Sequence, residues 1–285
     1  MPMQTAGAGQ TAYAQLNWAG RPVRIEYQWV GPLAPNVPVM VFLHEGLGSV
    51  SMWRDFPARL CQTLGCRGLV YSRPGYGQST PRAADETWSP DFMHRQALEV
   101  LPAFLQKVGV AQPFWLLGHS DGGSIALIHA AEQGRQAGKG QGPVSLPGLA
   151  GLVVMAPHIL VEAISLRSIE KAREAYQKGG LREALARHHA DPDSAFWGWN
   201  QAWLNPVFAN WTIEPELAQI RVPVLAVQGL NDEYGSLEQI RGIARRAPQT
   251  RLLELPDCGH SPHRDQPQSL SAAIAQLFRQ HSPQG

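Results

Sequence analysis

The sequence predicts an α/β fold: a mostly parallel central sheet of about eight strands, helices on both faces, and a helical segment inserted after the sixth strand. Three observations carry that prediction. Short continuous apolar runs, such as Val39-Met40-Val41-Phe42-Leu43 and Val222–Gln228, alternate with helical patterns, as strands buried on both faces require. The alternation stops between 158 and 216, where the patterns are helical, and then resumes. A glycine-flanked serine, Ser120, stands where one apolar run meets a helical pattern.

Taken in order, Ala12–Trp18 and Val23–Trp29 alternate apolar and polar residues around Ala19-Gly20-Arg21-Pro22, which predicts a hairpin at a sheet edge. Pro32, Pro35 and Pro38 stiffen the connection to the buried strand Val39–Leu43. That strand ends in His44-Glu45-Gly46-Leu47-Gly48-Ser49, and a helix is expected from Met52 to Leu64. Gly68–Tyr71 is the next strand and runs into Ser72–Ser79, whose Gly75-x-Gly77 lacks the third glycine and following helix of a dinucleotide site. Residues 90–108 have helical spacing and lead to the strand before Ser120. Gly134–Pro147 is predicted as a loop, followed by the strand Leu149–Met155. Helices are then expected over Ile169–Tyr176, Leu181–His189 and Ser194–Leu204. The strand Val222–Gln228, the helix Leu237–Arg246, the strand Thr250–Leu255 and the helix Pro267–Phe278 complete the chain. This places residues 1–157 and 217–285 in one core domain and 158–216 in a helical cap over the sheet's C-terminal edge.

Composition narrows the function classes. A 44% hydrophobic content fills a substantial core, and a net charge of +1 provides no basis for a nucleic-acid or membrane-surface partner. No apolar run is long enough to span a bilayer, and the first ten residues lack a secretory pattern. Cys61, Cys66 and Cys258 form neither paired CxxC motifs nor an even set, and fit reduced thiols in a cytoplasmic protein. The expected partner is a small-molecule acyl substrate; no oligomeric state is assigned.

The chemistry centres on Gly118-His119-Ser120-Asp121-Gly122. A serine at a tight strand-to-helix turn needs nearly side-chain-free neighbours two positions away, which Gly118 and Gly122 supply. The backbone N–H of Asp121 would open the following helix, where developing negative charge is welcome. A serine hydroxyl needs a base, and the base needs an orienting acid. His260 and Asp232 each follow a predicted strand, in the order nucleophile, acid, base. Neighbouring Glu233 and His263 compete for those two roles.

These motifs together resemble an α/β-hydrolase of the capped, single-domain type, over nearly the whole chain. The resemblance implies a catalytic triad of Ser120, Asp232 and His260, with Asp232 closest to the family's acid position and His260 directly after glycine. The turn after Leu43 resembles the family's His-Gly oxyanion segment, with Trp53 at a spacing where an aromatic often occurs. Glu45 replaces the usual glycine there, so aligning on His44 and Trp53 makes Gly46 the backbone donor, whereas sliding to Gly46-Leu47 makes it Leu47. Asp121 would supply the second donor. Glu45, His119, His158, Trp197 and Trp199 are candidate substrate contacts, with Glu162 also placed near the cap's exit from the sheet. The cap tryptophans are first of all packing residues. The His188–Asp193 stretch has metal-capable groups without ligand spacing and reads as an exposed turn.

The expected reaction is ester hydrolysis through an acyl-Ser120 intermediate, without metal or organic cofactor. Carbon–carbon bond hydrolases and lactonases share the elbow, although Ser261 stands where many carbon–carbon hydrolases resemble one another in having tryptophan. A non-catalytic small-molecule-binding role is the alternative from another class.

Overall fold

The computed structural model describes residues 9–32, 34, 37–83, 85–139 and 148–282. Its strands are β1 (Thr11–Trp18), β2 (Arg21–Val30), β3 (Val39–Leu43), β4 (Arg67–Tyr71), β5 (Phe114–His119), β6 (Leu149–Met155), β7 (Val224–Gly229) and β8 (Thr250–Leu255). They form one eight-stranded sheet in the order β1-β2-β4-β3-β5-β6-β7-β8. β2 pairs antiparallel with both β1 and β4, and every other neighbouring pair is parallel. Crossing the sheet from β3 through β5 to β8 brings successive C-terminal strand ends to one edge, where open α/β sheets place their ligands.

The helices are α1 (Phe56–Leu64), α2 (Phe92–Arg95), α3 (Leu101–Lys107), α4 (Asp121–Gly138), α5 (Ala163–Lys178), α6 (Leu181–Ala186), α7 (Pro192–Trp203), α8 (Glu214–Leu217), α9 (Glu238–Arg246), α10 (Pro262–Asp265) and α11 (Pro267–His281). Every residue of β3, β5 and β7 is buried. Their side chains alternate between two cores, as the two-residue period of a strand dictates. Met40, Phe42, Trp115 and Leu117 pack with α1 and α11. Val41, Leu43, Phe114 and Leu116 pack with α3, α4 and α9. The segment between β6 and β7 folds as α5 to α8 with a single isolated bridge, Leu160 to Thr212, and its Phe196, Trp199, Trp203 and Phe208 join the second of these cores.

Three sequence expectations change. The helix expected over 90–108 is interrupted: a π turn at Gln96–Val100 separates α2 from α3. Pro102 has no N–H for the i→i−4 ladder and its ring crowds the preceding turn, so the helix widens there. The helix expected over Met52–Leu64 divides into a 3-10 turn, Val50–Trp53, and α1, because Arg54 sits at φ 54°. The predicted loop at Gly134–Pro147 begins later, since α4 continues to Gly138; residues 140–147 lie outside the described residues, as does Pro35 of the proline connection. Among the described residues, no helix is long and apolar enough to cross a membrane.

Candidate active site

Turns after β3, β5, β7 and β8 converge at the sheet's C-terminal edge and carry His44–Ser49, Ser120, Asp232 and His260 respectively. Ser120 has φ 52° and ψ −121°, a backbone conformation that non-glycine residues seldom adopt. Neighbouring hydrogen bonds hold it there: Ser120 N–H donates to Met155 O at 2.9 Å, and the N–H groups of Gly123 and Ser124 donate to Ser120 O at 2.8 and 3.0 Å. The turn is so sharp that a Cβ on Gly118 would lie 2.2 Å from Gly122 O, and one on Gly122 would lie 2.2 Å from Leu43 O. Gly122→Ala is therefore expected to destabilise the fold by about 1–3 kcal/mol through overpacking against backbone that cannot yield. A lowered urea midpoint with an unchanged slope would show it.

Ser120 Oγ lies 2.9 Å from His260 Nε2, and His260 Nδ1 lies 2.8 Å from Asp232 Oδ1 and 3.0 Å from Oδ2. With Nδ1–H donating to the carboxylate, Nε2 is free to accept the serine proton. Asp232 also accepts from Tyr234 N–H at 2.8 Å and from Gln228 Nε2 at 3.1 Å. Burial alone would push the Asp232 carboxyl up, but the His260 hydrogen bond and charge, with the Tyr234 N–H, hold it below its usual range. Burial disfavours the charged form of His260, yet the Asp232 hydrogen bond and charge, helped by Glu233 and Glu45, raise its pKa above the ordinary histidine value. Glu233 makes no bond to His260; its carbonyl accepts from Ser168 Oγ. His263 packs against Trp53, Phe56 and His119, where burial drives its pKa down to about 3.

A cleft of about 110 Å³ opens above Ser120. Glu45, Gly46, Leu47, His119, Asp121 and His158 line one part of it, and Ile169, Trp199, Trp203, Tyr234 and Ser261 the rest, beside Ser120 and His260. His119 donates from Nε2 to His260 O at 2.6 Å, and its Nδ1 lies 3.5 Å from Glu45 Oε2. Burial would raise the Glu45 carboxyl, but His119, followed by His263 and His44, holds it well below the usual range. Burial drives His158 down to about 3, and its ring lies edge-on to Trp203 at 4.8 Å. Gly46 is held so close to the insert that a Cβ on it would lie 2.2 Å from Trp199 Nε1. Asp121, the first residue of α4, carries one of the N-terminal N–H groups that an α-helix leaves without an internal acceptor. Its side chain, buried, has a carboxyl raised to about 6 and accepts from Trp203 Nε1 at 3.1 Å. Among the described residues, no group of three or more His, Cys, Asp or Glu side chains is placed to hold a metal ion.

The sequence pattern of the alpha/beta hydrolase family matches residues 40–273. The chain belongs to that family. Among curated relatives, the 2-succinyl-6-hydroxy-2,4-cyclohexadiene-1-carboxylate synthase of Salmonella typhimurium is 26% identical over 276 residues, covering 87% of this chain and 96% of the relative. The chain is also similar in fold to an esterase from Thermogutta terrifontis, with TM-score 0.71 and 17% identity over 96% of this chain and 100% of the other. An enol-lactonase from Burkholderia xenovorans LB400 aligns with TM-score 0.69 and 19% identity over 93% of this chain and 99% of the other.

Two candidate contacts lie away from the cleft. Trp197 packs against Tyr176 and Phe196 and is absent from the cleft lining, because a helix turns residues two apart to opposite faces and Trp199 takes the inward one. Glu162 is occupied elsewhere, accepting from Ser236 N–H, Ser236 Oγ and Gln239 Nε2. The His188–Asp193 stretch is not a wholly exposed turn: His189 is buried, accepts from Gly77 N–H at 2.9 Å and donates to Leu47 O at 3.0 Å. Trp203 and Tyr234 enter the lining without having been singled out as contacts. Tyr234 carried a usable signal, since it stands two residues after Asp232.

Proposed function

We propose that the chain is a serine hydrolase that cleaves a carboxylic ester or related acyl substrate through an acyl-Ser120 intermediate. The observation that carries this reading is the continuous hydrogen-bond path from Ser120 Oγ through His260 to Asp232. Ser120 Oγ attacks the acyl carbon while its proton passes to His260 Nε2, and the imidazolium is stabilised by Asp232. The oxyanion is met by backbone N–H groups at Asp121 and in the Gly46–Leu47 turn. His260 returns the proton to the leaving alcohol, then deprotonates a water that releases the acid and restores Ser120.

The helical insert acts in this reading as a cap, residues 158–216, on a core of 1–157 and 217–285. Its Trp199, Trp203 and Ile169 supply apolar lining, and Glu45, His119 and His158 supply polar lining. No Lys or Arg side chain lines the cleft among the described residues, whereas Glu45 does. A substrate bearing carboxylates, such as the compound for which the Salmonella relative is named, would meet Glu45 in the lining, with Arg264 Nη2 4.0 Å from Glu45 Oε1 as a neighbouring cation. A lactone is an internal ester and enters the same scheme, which the likeness in fold to an enol-lactonase supports as a second reading.

Labelling with a fluorophosphonate probe tests the nucleophile: the wild type is expected to label and Ser120→Ala to remain blank. A wild type that neither labels nor hydrolyses p-nitrophenyl esters, lactones or vinylogous diketones would end the catalytic reading.

A further inference from the structure

Arg73 is fully buried, yet it takes part in none of the ion pairs among the described residues. A buried cation without a counter-ion is strongly unfavourable unless hydrogen bonds and a local use of its charge sustain it. Its Nη2 donates to Glu45 O at 2.9 Å, and its main-chain N–H donates to His44 Nε2 at 3.0 Å. Its guanidinium carbon lies 4.7 Å from the centre of the Tyr76 ring, and Nη1 has no partner among the described residues. Because His44 Nε2 accepts, its Nδ1 carries the proton and donates to Glu45 O at 2.7 Å. Burial and the Arg73 cation both hold His44 well below the ordinary histidine range, in keeping with that neutral ring. Gly48 N–H adds a third donor to the same oxygen at 3.1 Å.

Three donors on one carbonyl fix the orientation of its peptide. In a planar trans peptide the N–H points opposite the C=O, and here that N–H belongs to Gly46, which lines the cleft beside Ser120. Donors on the carbonyl also polarise the peptide and strengthen its N–H as a donor. The neighbouring peptide, which carries the N–H of Leu47, differs: its Gly46 carbonyl has no donor among the described residues.

We propose that Arg73 is a positioning residue for the oxyanion site, clamping and polarising the Glu45–Gly46 peptide so that Gly46 N–H, rather than that of Leu47, is the donor opposite Asp121. The inference rests on the serine-hydrolase reading above. The negative charge that develops on the acyl oxygen then lies in the field of a buried cation that makes no direct ion pair among the described residues of the resting protein.

Arg73→Gln and Arg73→Lys test it, with circular dichroism and thermal melts to establish that each folds. For Arg73→Gln, kcat on an activated ester is expected to fall about 10–100-fold with KM within about threefold. Affinity for a trifluoromethyl ketone, whose hemiketal with Ser120 places an oxyanion in the same position, is expected to fall by the same factor as kcat/KM. Affinity for the carboxylic acid product should stay constant. Arg73→Lys keeps the charge but loses the planar fork, and an intermediate loss is expected. A folded variant whose kcat and ketone affinity both stay within about threefold of wild type, or whose KM alone rises, overturns the proposal. If the glutamine variant does not fold, the lysine variant decides on the same readings. A wild type that fails to label at Ser120 removes the serine-hydrolase reading and this inference with it; labelled wild type with unaltered Arg73 variants removes this inference alone.

Discussion

Ser120→Ala is expected to lower kcat on an activated ester by about 10⁴–10⁶-fold, leaving only what the oxyanion donors and binding supply. The size of the loss follows from the geometry. Ser120 Oγ is the atom that His260 Nε2 faces at 2.9 Å, and without it the base has nothing to activate at that position except water. The substitution should leave the fold intact, because Ser120 Oγ makes no cap bond to α4, and His260 Nε2, the partner it leaves, faces the cleft, where water can replace the hydroxyl. A companion variant separates catalysis from strain. Ser120→Gly removes the same hydroxyl but also relieves a side chain held at φ 52°, so it is expected to melt at a higher temperature than wild type by about 1 kcal/mol of stability. Calorimetry of the two variants side by side measures it; a glycine variant no more stable than the alanine variant would show that the elbow is unstrained.

Asp232→Asn is expected to lower kcat by about 10³–10⁴-fold while leaving the fold and KM nearly unchanged. An amide in place of the carboxylate can present its N–H₂ to His260 Nδ1, favouring the tautomer in which Nε2 carries the proton and cannot accept one from Ser120. The pH profile provides a second, independent reading. His260 must be neutral to act as a base, so activity rises as pH climbs through its pKa. In the wild type that pKa lies above the ordinary histidine value, chiefly because the Asp232 hydrogen bond and charge outweigh burial. The acid limb of kcat/KM should therefore sit above the range of an unperturbed histidine. In Asp232→Asn the chief raising influence is gone, the smaller ones of Glu233 and Glu45 stay, and burial remains, so the limb should move to lower pH. A limb that stays in place would mean that a different group titrates.

The core of the site was legible in the sequence because each of its parts is local. A serine between Gly118 and Gly122, an aspartate just after one strand and a histidine just after another are patterns of a few residues, and the parallel topology brings the strand ends together. The parts that were not legible depend on approach between distant segments. Nothing near Arg73 in the chain indicates that its guanidinium will reach the carbonyl of Glu45, 28 positions earlier. His189 meets Leu47 across 142 positions and Trp203 meets Asp121 across 82. Trp197 and Trp199 look equivalent in composition, and the angular phase of α7 decides between them. Glu162 looked free until the fold placed Ser236 and Gln239 around it. The interrupted helix at Gln96–Val100 had a visible cause in Pro102, but apolar spacing alone reads straight through it.

The link between His189 and Leu47 makes the insert and the turn after β3 parts of one interlock. The Leu47 carbonyl is thereby held from the insert, whereas the Glu45 carbonyl two residues before it is held from the core by Arg73, His44 and Gly48. An insert from another family member that lacks this imidazole would leave the Leu47 carbonyl without that donor, so its transplantation onto this sheet is expected to alter turnover as well as selectivity.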